Sequence, residues 1–165
     1  MKRIPWLMAG MILLGTVVAA AQIEKGKYQN IEVMRFETKE GVNFPPDWQV
    51  ALTDALVKQV TDIKKFGQVL REGETAQKAD ALALRLTGVV TEYKPGSRAK
   101  RYMLPGAGAT KIKAHIKVLD RSSSAVLFED DVDGKVVMGV VGGESMGAAN
   151  GLAKEVATKL RQRFF

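Results

Sequence analysis

The chain has no cysteine, a single histidine (His115), five prolines and few aromatics for its 165 residues. Without cysteine there is no disulfide framework, no thiolate zinc site and no cysteine nucleophile. One histidine with neither a second histidine nor a thiol cannot build an ordinary transition-metal site, so neither a metal nor a cofactor is expected. No stretch interleaves aromatics with Lys and Arg as a stacking platform requires, and no nucleic-acid partner is expected. Charge blocks and low-complexity tracts are lacking as well, so nothing divides the chain into two domains.

Long apolar runs are also missing, except at the start. Lys2 and Arg3 precede an apolar core from Trp6 to Val18 that is too short for a comfortable bilayer span. Ala19, Ala20 and Ala21 then offer the small residues a signal peptidase reads. Residues 1–21 are therefore expected to be a cleaved secretory signal and residues 22–165 a single domain, periplasmic or secreted, with no stable membrane span after cleavage. No cysteine follows the apolar core, which closes the lipid-anchoring route. Removing 21 residues from 165 leaves 144, enough to bury a core without a metal or disulfide staple. The signal takes two of the 25 Lys and Arg with it, leaving 23 against 18 Asp and Glu, a net +5. That balance favours an anionic partner, either an envelope component or an acidic protein surface; simple solubility is the plainer reading.

Periodicity supplies the elements. Ile31 to Phe36 alternates as a strand with one buried face. Asp47 stands at an N-cap position ahead of Trp48, Leu52, Ala55, Leu56, Val60 and Ile63, whose spacing forms one helical stripe. Phe66 to Leu70 suits a short strand, and a polar turn covers Gly73 to Lys78. Leu82, Leu84, Leu86 and Val90 share one face of a long strand in which Gly88 marks a bulge or a close backbone approach. Ile112, Ala114, Ile116 and Val118 line one face of the next strand, with Lys111, Lys113, His115 and Lys117 on the other. Val126 to Val137 follows as a strand. A helix from about Glu144 to Arg163 buries Leu152, Val156, Leu160 and Phe164. The order β-α-β-β-β-β-α gives an α+β fold, a mostly antiparallel sheet of four to five strands with both helices on one face.

Several motifs invite chemistry. Gly143-Glu144-Ser145-Met146-Gly147 matches the G-x-S-x-G nucleophile elbow between a strand and a helix. In that class, however, the histidine base follows the serine, whereas His115 precedes Ser145. A serine hydrolase is thus the alternative to a non-enzymatic reading, with a helix start as the plain role of Ser145 or Glu144. Gly139, Gly143, Gly147 and Gly151 recur every fourth residue, which suits either close packing of the last helix or a self-associating stripe. Pro105 to Lys111 looks like a phosphate loop but leads into a strand rather than a helix, so a hairpin loop is expected. Asp130, Asp131, Asp133 and Gly134 faintly resemble a calcium loop without its spacing, and a hairpin turn is expected there. Arg98, Lys100 and Arg101, in the loop from Ser97 to Ala109, are the candidate contact surface. Lys111, Lys113 and Lys117 lie next to them, and Tyr93 and Tyr102 flank the loop. The oligomeric state is left open between a lone module and a self-assembling envelope subunit.

The run Gly88-Val89-Val90-Thr91-Glu92-Tyr93-Lys94-Pro95-Gly96-Ser97, then Arg101-Tyr102 and Pro105-Gly106-Ala107-Gly108, resembles a bacterial envelope family catalogued as domain of unknown function 4410. Asp120, Gly142-Gly143 and the last helix ending in Phe164 fit the same pattern. The resemblance implies an exported α+β domain like those of envelope-assembly accessory proteins, and it brings no catalytic residues. Members are often lipoproteins; this chain lacks the acylated cysteine.

Overall fold

A computed structural model describes residues 23–76, 82–96, 109–135 and 144–165. The elements run β1 (Asn30–Val33), β2 (Glu37–Thr38), α1 (Pro46–Asp62), β3 (Gln68–Arg71), β4 (Ala83–Lys94), β5 (Lys111–Asp120), β6 (Val126–Lys135) and α2 (Glu144–Phe164). The sheet order is β3-β1-β4-β5-β6, with β2 on the same edge of β4 as β1. The long pairings, β4 with β5 and β5 with β6, are antiparallel; β1 pairs in parallel with β3 and β4. The architecture is α+β, and both helices pack on one face of the sheet.

That face is legible from the strand period. Leu84, Leu86 and Val90 of β4 and Ile112, Ala114, Ile116 and Val118 of β5 are all buried, together with Ile31 and Val33 of β1. Leu52, Leu56 and Val60 of α1 and Leu152, Val156, Leu160 and Phe164 of α2 close over them. Leu82 does not join this row: it precedes β4 and is 41% exposed, while Ala83 is buried. Helix α1 starts differently from expectation. Pro45 is the N-cap and makes no side-chain capping bond, Pro46 occupies the first turn, and Asp47 lies inside that turn. Proline tolerates this position because the first helical N–H has no internal partner, and Asp47 there complements the helix dipole. β1 also ends early, at Val33, although Phe36 beyond it is buried.

Two glycines fix how closely the layers meet. A Cβ at Gly88 would lie 2.6 Å from the Phe36 ring, so Gly88 is a close approach; the β4–β5 register shift falls between Val90 and Glu92 instead. A Cβ at Gly134 would lie 2.5 Å from the Ala148 carbonyl oxygen and 2.7 Å from the Leu152 Cβ, so α2 presses directly on β6. Ala148, Ala149, Leu152 and Ala153 form the buried stripe of α2; Gly147 and Gly151 flank it, half-buried, while Gly139 and Gly143 lie outside the described residues. Residues Asp130, Asp131, Asp133 and Gly134 form the interior of β6, not a turn. The turn is Asp120 to Ser124, where the Asp120 carboxylate accepts the Ser122 and Ser123 backbone N–H groups and the Ser122 hydroxyl. Along the outer rim of β6, the Asp133 N–H donates to Glu155 (3.1 Å) and the Asp131 N–H to the Asp130 carboxylate (2.8 Å). Lys159 holds Asp130 in turn.

Candidate functional site

The face of the sheet away from the helices carries the polar half of each strand, and cross-strand register decides what those side chains meet. On β5, Lys111 lies 3.8 Å from Asp133, Lys113 lies 3.2 Å from Glu92, and Lys117 lies 3.6 Å from Glu129. The His115 Nδ1 is 2.9 Å from Asp131. Lys94 adds a 2.8 Å pair to Glu92, and hydrogen bonds from Lys94 and Lys113 hold the Glu92 carboxyl down at about 2. The expected electropositive strand face is therefore a neutralised ladder, because β6 and Glu92 set an acid beside each of its cations, directly across or on the diagonal.

Further along the same face, Glu32 is almost wholly buried, accepts from the Arg85 Nε (2.8 Å) and forms an ion pair with Arg121, whose Nε lies 3.1 Å away. Three strand-end segments meet at one carboxylate. Beside this ladder lies a groove of about 1010 Å³ lined by Arg35, Glu37, Glu72, Thr87, His115 and Lys117, among others. Its origin is a register mismatch. Val33 stands opposite Leu86 and Glu37 opposite Val89, so the first segment spends one more residue than β4 over the same stretch. The Met34 N–H still donates to the Leu86 carbonyl (2.9 Å), and the extra residue is taken up between there and Glu37, as in a bulge. Its wall is of mixed sign: the Arg35 backbone N–H donates to Glu72, and Lys117 and His115 face their β6 acids.

At the far end of β4 and β5, Lys94 stands opposite Lys111 and the Gly96 N–H donates to the Thr110 hydroxyl, 3.1 Å. These contacts pin both ends of the loop that was expected to bind. Tyr93 packs there edge-on against Phe44 (5.3 Å between centroids) and Trp48 (5.1 Å), and burial raises its hydroxyl pKa. Its ring is spent on this aromatic cluster. Arg98, Lys100, Arg101 and Tyr102 lie outside the described residues.

Of the G-x-S-x-G motif, Gly143 and the side chains of Glu144, Ser145 and Met146 lie outside what the structure describes. α2, which contains Ser145, packs on the helical face, where Ala148 and Leu152 touch Gly134, whereas His115 lies on the opposite face with Asp131. Among the described residues no group of His, Asp and Glu is arranged to hold a metal ion, and no helix is long and apolar enough to cross a membrane. The groove escaped sequence reading because it depends on the pairing of β1 and β2 with a strand fifty residues away.

Residues 16–151 match the family described as domain of unknown function 4410 (DUF4410). The chain belongs to that family. Solved structures share the fold at low identity. The PelC dodecamer from Paraburkholderia phytofirmans is 16% identical, with 82% of this chain and 89% of that one covered and a TM-score of 0.56. Protein XCC0632 from Xanthomonas campestris is 14% identical, with 83% of each chain covered and a TM-score of 0.53. No curated protein matches this DUF4410 chain. The shared fold adds no residue roles, and those of the DUF4410 domain rest on its own geometry.

Proposed function

We propose that this chain is an exported, non-enzymatic binding or assembly accessory module of the bacterial envelope. It would meet an anionic partner, an envelope component or an acidic protein surface, through Arg98, Lys100 and Arg101, with Tyr102 and the outer edge of Tyr93 in support. The observation that most supports this reading is the spent charge on β5. Lys111, Lys113 and Lys117 already face Asp133, Glu92 and Glu129, so at this end of the sheet an anionic partner must be met from the loop. The bond from the Gly96 N–H to the Thr110 hydroxyl supports it further, because it holds together the two described strand ends that flank the loop. The leader expected in residues 1–21 supports export, and the separation of α2 from His115 speaks against hydrolysis.

The test is crosslinking in intact cells, with recovery of the tagged protein beside a variant carrying Arg98→Ala, Lys100→Ala and Arg101→Ala. The expected outcome is a discrete partner lost in the variant, with its thermal midpoint unchanged. Equal recovery from both would sink the loop as the contact surface. A second reading, a self-assembling subunit, draws on the description of PelC as a dodecamer. Sedimentation of the purified protein at the monomer mass would count against it.

A further inference from the structure

Most cations along the sheet have a carboxylate partner, but at one end of the molecule six do not. The Gly26 N–H donates to the Phe164 carbonyl (2.9 Å), which brings Lys25 and Lys27 to the last turn of α2, where Arg161 and Arg163 stand. Phe165 meets Phe66 edge-on with centroids 5.1 Å apart, bringing in Lys64 and Lys65 from the end of α1. All six are exposed, and none forms an ion pair among the described residues. Lys27 and Arg163 lie only over the rings of Tyr28 (6.0 Å) and Phe128 (5.9 Å). Nearby acids are mostly occupied: Asp62 by Lys58, and Asp120 by Tyr28 and its turn. Glu24 there forms no ion pair among the described residues.

The same end exposes apolar surface. Leu82, whose carbonyl accepts from the Gln29 N–H, is 41% exposed, and Val126, just past the Asp120 turn, is 52% exposed. Phe66 and Phe165 are half-buried at the same end of the helices. Lys64 has a φ of 55°, a left-handed position where glycine would carry less strain. Cations with long stems around exposed aliphatic and aromatic groups suit a surface that is charged outside and apolar just beneath.

We propose that this end of the domain docks on anionic phospholipid head groups, with Lys25, Lys27, Lys64, Lys65, Arg161 and Arg163 meeting phosphates and Leu82 and Val126 entering the boundary layer. It goes beyond the loop reading and uses a different surface. The twelve residues of β4, about 36 Å long at ~3.3 Å per step, separate this end from the strand ends that flank the loop.

The full chain, expressed with its leader and purified after processing, would be floated with vesicles of phosphatidylcholine alone or mixed with phosphatidylglycerol. Binding to the anionic vesicles is expected at least tenfold tighter, and lost at high salt. A variant carrying Lys64→Gly, Lys65→Gln and Arg161→Gln should bind at least tenfold more weakly with an equal or higher thermal midpoint, since Lys64→Gly relieves a left-handed residue. A Leu82→Ser, Val126→Thr variant should lose vesicle affinity but keep its affinity for soluble polyphosphate. Equal binding to both vesicle types, or unchanged binding by the charge variant, would overturn the proposal. So would an apolar variant that behaves as wild type, which would make the surface a general polyanion or acidic-protein site.

Discussion

Tyr28 and Asp120 share one hydrogen bond of 3.0 Å, and its two ends titrate at opposite extremes of pH. Asp120 is held well below the usual carboxylate range, first by the Ser122 hydroxyl and then by the Ser123 N–H, with Tyr28 adding to them. Its contribution to stability is therefore complete above the unfolded value of about 3.9 and is lost as pH falls through the depressed folded value. Tyr28 is pushed up to about 12 by burial and by Asp120, so its contribution is complete below about 10 and is lost as pH rises from there towards 12. Asp120→Asn should cost about 1 kcal/mol at neutral pH, after allowance for partial exposure, and should flatten the acid limb of stability below pH 4. Tyr28→Phe should lower neutral stability by about 1 kcal/mol through the lost hydrogen bond to Asp120 and remove the alkaline loss between about pH 10 and 12. Urea unfolding across pH measures both. Single residues were also where the sequence was least legible. Glu32 alternates with Ile31 and Val33 and so reads as a solvent-facing residue. Arg85 and Arg121, remote in the chain, bury it, and only strand register brings them together.

Elements were legible where a period runs long enough. The α1 stripe, the β4 and β5 alternation and the α2 stripe all stand close to where the apolar spacing puts them, because burying one face fixes the phase of a helix or strand. Ends and turns were less legible. The acids of β6 look like turn residues in isolation, yet they form a strand because β5 offers each of Asp131 and Asp133 a cation or imidazole across the ladder. The docking of α2 was readable only in part. Glycines on the helix suggested a close approach, but the glycine that permits it, Gly134, lies on the strand. Gly134→Ala should destabilise by about 3 kcal/mol, since backbone atoms of α2 must move, whereas Gly88→Ala should cost about 2 kcal/mol by displacing the Phe36 ring. Chemical denaturation compares the two, and a milder effect at Gly134 would show that α2 can slide on the sheet.

At the scale of the molecule, one core joins both helices to the sheet, and Gly26 ties the start of the described chain to the end of α2. The processed chain is accordingly expected to unfold in one cooperative step, with tryptophan fluorescence and far-ultraviolet dichroism giving the same midpoint. Two separated midpoints would divide the chain into independent units. The family was legible from its glycine- and proline-bearing turns. The charge distribution was not, because composition counts cations without recording which have been neutralised. The rim of β6 bears on how copies of this chain can meet. An extended backbone arriving there needs free amides to latch onto, and at Asp131 and Asp133 carboxylates have already taken them. That rim resists edge-to-edge strand pairing, so a fibre of copies joined through β6 would find its backbone donors at these two positions already taken.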